Sequence, residues 1–248
     1  MRVIVVKDQD ALGKASADLV ESVMKTKAHF ALGLATGTTP IPLYKELIRR
    51  NKEEELDFST TITFNLDEYV GLEPTHDQSY RYFMNAQLFD HININKKCTH
   101  VPNGIAQDIE VECLAYEEMM EDVGGVDLQV LGIGSNGHIG FNEPGTSLAS
   151  RTHMTDLTES TIKDNSRLFD KIDDVPTKAV TMGIGTVLDA ENVVLLANGA
   201  NKAAAVKAAI EGPVSALCPA SSLQLHPSTT FVVTEDCASE LTVLTEKM

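Results

Sequence analysis

Positive charge is scarce in this chain. Its 248 residues include 20 Lys plus Arg against 36 Asp plus Glu, a formal net charge of −16. A nucleic-acid binder needs a basic face, and an anionic membrane surface attracts basic segments, so neither partner is expected. A phosphorylated ligand has to be held by a few local cations and backbone N–H groups, against an unfavourable overall field. Long apolar runs are also missing: nothing approaches the roughly 18 residues of a membrane span. At the N-terminus only Val3 to Val6 are apolar in succession, too short for a signal-peptide core. Cysteine is limited to Cys98, Cys113, Cys218 and Cys237, with no CxxC spacing. This pattern reads as reduced thiols in a cytoplasmic protein. There is no repeat, low-complexity linker or domain boundary, so residues 1–248 read as one domain.

Apolar residues make up 43% of the chain, enough for a large core. They gather in short runs: Val3–Val6, Phe30–Leu34, Ile62–Leu66, Leu128–Ile133, Ala179–Ile184, Val193–Ala197 and Phe231–Val233. Several have the continuous aliphatic character of strands covered on both faces. Helical periodicity lies between them. Leu43, Tyr44, Leu47 and Ile48 share a face after Pro40, and Ala203 to Ile210 stops at Gly212-Pro213. The alternation predicts an α/β fold, a doubly wound, mostly parallel sheet of Rossmann-like type. The charged run Lys52-Glu53-Glu54-Glu55 reads as a solvated helix end. Residues 155–178 are polar and weakly patterned; they read either as a small helical lid or as an ordinary surface connection.

In open α/β sheets, ligands bind beyond the carboxyl ends of the strands. After Phe30–Leu34 comes Thr36-Gly37-Thr38-Thr39-Pro40 and then a helix. Free N–H groups at a helix start suit an anion, so this is either a phosphate cradle or a capped turn. It lacks the Gly-Lys-Ser/Thr of a Walker loop. After Ile62–Leu66 come Asp67 and Glu68, either an acid/base pair or a cap beside a surface charge. After Leu128–Ile133 comes Gly132-Ile-Gly134-Ser-Asn136-Gly137-His138-Ile-Gly140-Phe-Asn-Glu143-Pro144. Its literal GxGxxG is not a dinucleotide fingerprint: Gly140 and Pro144 interrupt the helix that should follow, and no acid-tipped strand comes about 20 residues later. What remains is a polar loop in which Asn136 and Glu143 can orient His138 and stabilise its charge. No second His or Cys has metal-ligand spacing here. Lys202, at the start of the Ala-rich helix, opposes the helix dipole unless an anion sits there. Gly183 and Gly185 suggest close packing near the site. Met119, Met120, Tyr80, Tyr82 and Phe83 read as core. Together these strand ends suggest proton transfer on a small phosphorylated substrate, with no motif for a bound cofactor or metal.

The stretches Leu32-Gly-Leu-Ala-Thr36-Gly37-Thr-Thr-Pro40, Phe64-Asn-Leu-Asp67-Glu68-Tyr69-Val-Gly71, Gly132 to Pro144, Ser147-Leu-Ala-Ser-Arg151, Asn165-Ser-Arg167 and Ser222-Leu-Gln-Leu-His226 closely resemble the glucosamine-6-phosphate deaminases. The likeness runs almost end to end. It implies an isomerising deaminase of amino-sugar catabolism and N-acetylglucosamine utilisation, hydrolytic in outcome, with a sugar phosphate as its small-molecule partner and no cofactor. The resemblance implies that Asp67 takes the proton from C2 of the open-chain sugar. By the same likeness His138 assists ring opening while Glu143 and Asn136 orient it, and Thr36, Gly37, Thr38, Thr39, Arg167 and Lys202 hold the substrate and its phosphate. Arg167 falls in the polar 155–178 segment, which favours the lid.

Two departures from the resembling family matter. Some members carry Asp where this chain has Asn136, so Glu143 is left to stabilise a His138 cation more nearly alone. The allosteric hexameric members use Ser, Arg and Lys after this loop and have a longer tail; Thr146, His153 and Thr155 stand in those places. Activation by N-acetylglucosamine 6-phosphate is therefore not expected. Monomer and homo-oligomer both remain open. The rivals are 6-phosphogluconolactonase, the galactosamine 6-phosphate epimer as substrate, and a sugar-phosphate-sensing regulatory domain, which would need a DNA-binding segment.

Overall fold

The computed structural model describes residues 1–166, 169, 175–243 and 245–247. Eight of its strands form one parallel sheet. In chain order these are β1 (Arg2–Val6), β2 (Phe30–Leu34), β3 (Thr61–Asn65), β5 (Thr99–His100), β6 (Leu128–Leu131), β9 (Asn192–Ala197), β10 (Thr229–Thr234) and β11 (Glu246–Lys247). Their spatial order is β11-β1-β10-β9-β6-β2-β3-β5, and every neighbouring pair runs parallel. The expected runs at Val3, Phe30, Ile62, Leu128, Val193 and Phe231 all form strands of this sheet.

Helices cover both faces. Strand side chains alternate in direction, so Ile4 and Val6 point to one face and Val3 and Val5 to the other. The Ile4 face packs against α1 (Gln9–Met24) and α2 (Ile41–Glu53), through Leu12, Val20, Leu43, Tyr44 and Leu47. The Val3 face packs against α4 (Ile109–Asp122), α6 (Ile184–Leu188) and α7 (Ala203–Glu211), through Tyr116, Met120, Val187, Val206 and Ile210. Local chemistry sets the helix starts. Asp8 accepts from the Ala11 N–H at 2.9 Å, and Asp108 accepts from the Glu110 and Val111 N–H groups. Helix α2 ends at Glu53 in an exposed acidic run, as the charge pattern suggested.

One expected strand sits elsewhere. The Ala179–Ile184 run supplies β8 (Lys178–Thr181), which does not join the parallel sheet. It pairs antiparallel with β4 (Asp67–Tyr69) on one side and β7 (His153–Asp156) on the other. The chain leaves β3 at Asn65, anchors at Leu66 by bonds to Leu34 O and from Met182 N–H, and enters the small sheet at Asp67. The 155–178 segment is therefore not uniformly helical. It begins within β7, contains α5 (Glu159–Ser166) and ends at β8.

The chain order locates the switch point. After β2 the next strands, β3 and β5, are laid down on one side; after β6 the next strands, β9 and β10, go to the other side. Strands β2 and β6 are neighbours, so the loops at their carboxyl ends diverge and leave a crevice between them.

Candidate functional site

That crevice is a cavity of about 590 Å³. Thr36, Gly37, Thr38 and Thr39, from the loop after β2, form one wall. Gly37 has φ of +86°, a conformation that side chains disfavour. The Tyr44 hydroxyl of α2 bonds the Ala35 carbonyl and anchors this loop. The Thr39 hydroxyl donates to Asn198 Oδ1 at 3.2 Å, which ties the loop to the turn after β9. That turn runs through Ala200–Lys202 into α7 and brings Lys202 to the cavity, where burial lowers its pKa. A cation and the start of α2 thus flank one threonine-lined wall, an arrangement suited to an anion.

Asp67 lies in the opposite wall, buried at 6% exposure on β4. Burial, then the neighbouring charge of Glu68, pushes its carboxyl up to about 8. A Cβ on Gly140 would stand 3.7 Å from Asp67 Oδ2, so the loop after β6 lies close against this acid. Glu68, read with Asp67 as a possible acid pair, does not line the cavity. Successive strand residues point to opposite sides, and its carboxylate is occupied by the N–H groups of Tyr69, Tyr80 and Arg81, each at 2.9 Å.

His138 lines the cavity; Asn136 and Glu143 stand behind it. Asn136 Nδ2 donates to Glu143 Oε2 at 2.7 Å, which leaves Asn136 Oδ1 as an acceptor. His138 Nδ1 lies 2.8 Å from that oxygen and 3.4 Å from Glu143 Oε1. Two acceptors at Nδ1 place the proton there, so Nε2 of the neutral ring carries the lone pair. Burial lowers the His138 pKa; Glu143 opposes this and Lys202 adds to it.

Of the expected residues, Thr36, Gly37, Thr38, Thr39, Asp67, His138 and Lys202 meet at one cavity, and Asn136 and Glu143 form its second layer. Arg167 lies outside the described residues. Tyr80 and Phe83 pack against the core, as read, and also line the cavity with Tyr69 and Phe141; Tyr82, read as core, is a correction, being 44% exposed. Tyr80 donates to the Tyr69 hydroxyl at 3.1 Å. The Ser79 cap could have signalled this turn, since its hydroxyl accepts from the Tyr82 N–H. Met120 is buried and Met119 packs against the core, as read. A Cβ on Gly183 would stand 2.1 Å from Ser150 O, which accounts for that glycine by close packing. Among the described residues, no group of three or more His, Cys, Asp or Glu side chains is placed to hold a metal ion.

Known proteins resemble this arrangement across the chain. A protein of Clostridium perfringens named glucosamine-6-phosphate deaminase is 53% identical over 241 residues, covering 97% of this chain and 100% of its own. One so named from Thermoanaerobacter pseudethanolicus is 51% identical over 239 residues, covering 96% and 94%. The solved structure of a monomeric glucosamine-6-phosphate deaminase superposes with a TM-score of 0.93 at 44% identity, covering 96% of this chain and 99% of that one. A 6-phosphogluconolactonase from Trypanosoma cruzi, at 18% identity and a TM-score of 0.76 over 98% and 97% of the two chains, shares the fold. Residues 7–232 match the family model of glucosamine-6-phosphate isomerases and 6-phosphogluconolactonase. The chain belongs to the glucosamine-6-phosphate isomerase/6-phosphogluconolactonase family.

Proposed function

We propose that this chain is an isomerising deaminase that converts glucosamine 6-phosphate to fructose 6-phosphate and ammonia. The observation that carries the reading is a buried carboxylate, Asp67, and an oriented imidazole, His138, in the walls of one cavity with a threonine-lined anion loop. The names of relatives at 50–53% identity agree with it.

The residues divide the work as follows. The Thr36–Thr39 loop and Lys202 hold the phosphate, joined by Arg167 from the 155–178 segment, which we read as a lid within a single domain. Phe169 of that segment already lines the cavity and stacks on His76, ring centroids 5.8 Å apart. His138 Nε2 accepts the anomeric hydroxyl proton and returns it to the ring oxygen, opening the sugar; Glu143 and Asn136 stabilise the transient charge. Asp67 then removes the C2 proton, made acidic by the C1 aldehyde and the C2 ammonium. The electron pair forms an enolamine, which takes a proton at C1 and becomes the C2 imine. Water adds to the imine and ammonia leaves, so one water is consumed. Fixed placement supplies much of the rate that a carboxylate base lacks. Such a protein acts in amino-sugar catabolism, in the cytoplasm, without a cofactor, metal or nucleic acid.

The test is release of fructose 6-phosphate and ammonia, with glucosamine 6-phosphate, galactosamine 6-phosphate and 6-phosphogluconolactone supplied in parallel. Preferred turnover of the glucosamine sugar is expected. Preference for the galactosamine epimer or for the lactone would replace the reading.

A further inference from the structure

Glu68 is a buried acid beside the site that this chemistry leaves unused. It is 3% exposed, and its three backbone bonds join its own strand to a turn 12 and 13 residues further along the chain. Oε1 accepts from Tyr69 N–H, within β4, and from Tyr80 N–H; Oε2 accepts from Arg81 N–H. Strand β4 carries Asp67. The turn it binds is the start of α3 (Tyr80–Met84), which places Ser79 and Tyr80 in the cavity wall. The Ser79 hydroxyl is committed to the Tyr82 N–H, so Glu68 takes the two adjacent donors that this cap leaves over. A second cavity, about 320 Å³, lies behind Glu68 and Arg81.

We infer that Glu68 is a positioning residue for Asp67: its carboxylate clamps the strand that carries Asp67 to the helix start that carries Tyr80. The inference rests on the deaminase reading. Burial holds the Glu68 carboxyl above its ordinary value, and the three N–H donors oppose that and favour the ionised form. Ionised Glu68 raises Asp67 in turn. A glutamine has one acceptor oxygen, cannot serve all three donors, and carries no charge. An aspartate keeps the charge on an arm one carbon shorter, so it misplaces the helix start.

The experiment follows kcat, KM and the pH dependence of kcat/KM for glucosamine 6-phosphate in wild type, Glu68→Gln and Glu68→Asp, with circular dichroism as the folding control. In both variants kcat is expected to fall by about 10- to 100-fold, the cost of sub-ångström misplacement. The acid limb of kcat/KM should move to lower pH in Glu68→Gln and stay in place in Glu68→Asp. A change confined to melting temperature, as a purely structural residue gives, overturns the inference, as does an unmoved acid limb in folded Glu68→Gln. If Glu68→Gln does not fold, Glu68→Asp decides alone, and wild-type kcat there overturns it. Wild type inactive on glucosamine 6-phosphate would instead overturn the deaminase reading.

Discussion

Gly134 lies flat against the His138 imidazole: a Cβ on Gly134 would stand 2.2 Å from the ring's Cε1 and 2.3 Å from Nδ1. The loop thus uses a missing side chain to seat the ring, while Asn136 and Glu143 hold its Nδ1 edge. Gly134, one of the glycines that imitate a dinucleotide fingerprint, serves the imidazole. Gly134→Ala should push the ring off its seat. Because an ångström of misplacement costs about 100-fold, kcat for glucosamine 6-phosphate should fall by roughly that factor with the fold preserved. Wild-type kcat in the alanine variant would contradict this seating.

Asn136 gives His138 an acceptor without a charge. Burial lowers the His138 pKa and, among the described residues, Glu143 is the acid that opposes it. Asn136→Asp places a second carboxylate at Nδ1 and favours the imidazolium. The His138 ring titration, followed by NMR, should therefore move to higher pH. A midpoint that stays or falls would show that Glu143 alone governs the ring.

Asp67 costs stability as pH rises. Its carboxyl titrates at 3.8 when unperturbed and at about 8 in the fold. Between these values the folded chain holds a proton that the unfolded chain has released, so stability decreases with increasing pH across that window. Asp67→Asn removes the penalty. The variant should melt several degrees above wild type at pH 8 and match it near pH 4, at about 2–4 °C per kcal/mol for a chain of this size. Equal melting temperatures at both pH values would mean that Asp67 is not desolvated.

By the sequence resemblance, Thr146, His153 and Thr155 replace a serine and two cations of an effector site, and we propose on that ground that this chain is not activated. Adding N-acetylglucosamine 6-phosphate should leave the KM for glucosamine 6-phosphate unchanged. A several-fold fall in KM would establish an effector site.

Six strands of the parallel sheet were legible because they are buried and read as continuous apolar runs, as at Phe30–Leu34 and Val193–Ala197; the two-residue β5 (Thr99–His100) and the exposed β11 (Glu246–Lys247) carry no such run and were not expected. The small antiparallel sheet was not. Its strand β4 is the three-residue Asp67-Glu68-Tyr69, and β7 is half-exposed, so neither has an apolar signature. That sheet decides which way the two acids face, and so separates Asp67 from Glu68. The phosphate loop and the His138 loop could be found as polar, glycine-rich stretches at strand ends. Ser79 could have signalled the turn before Tyr80 as a cap, but not its facing, because α3 is only five residues long and its orientation depends on the Glu68 bonds. Arg167 lies outside the described residues, and its part rests on the sequence resemblance.

The central claim is that Asp67 is the base at C2. Its most direct test is turnover of glucosamine 6-phosphate by wild type beside Asp67→Asn at a pH above 8, where the wild-type carboxylate is ionised. Loss of about 10³-fold or more in kcat, with KM little changed, is the result expected for removal of a positioned general base. A variant that retains kcat within about tenfold of wild type would contradict the account and move the C2 proton to another group.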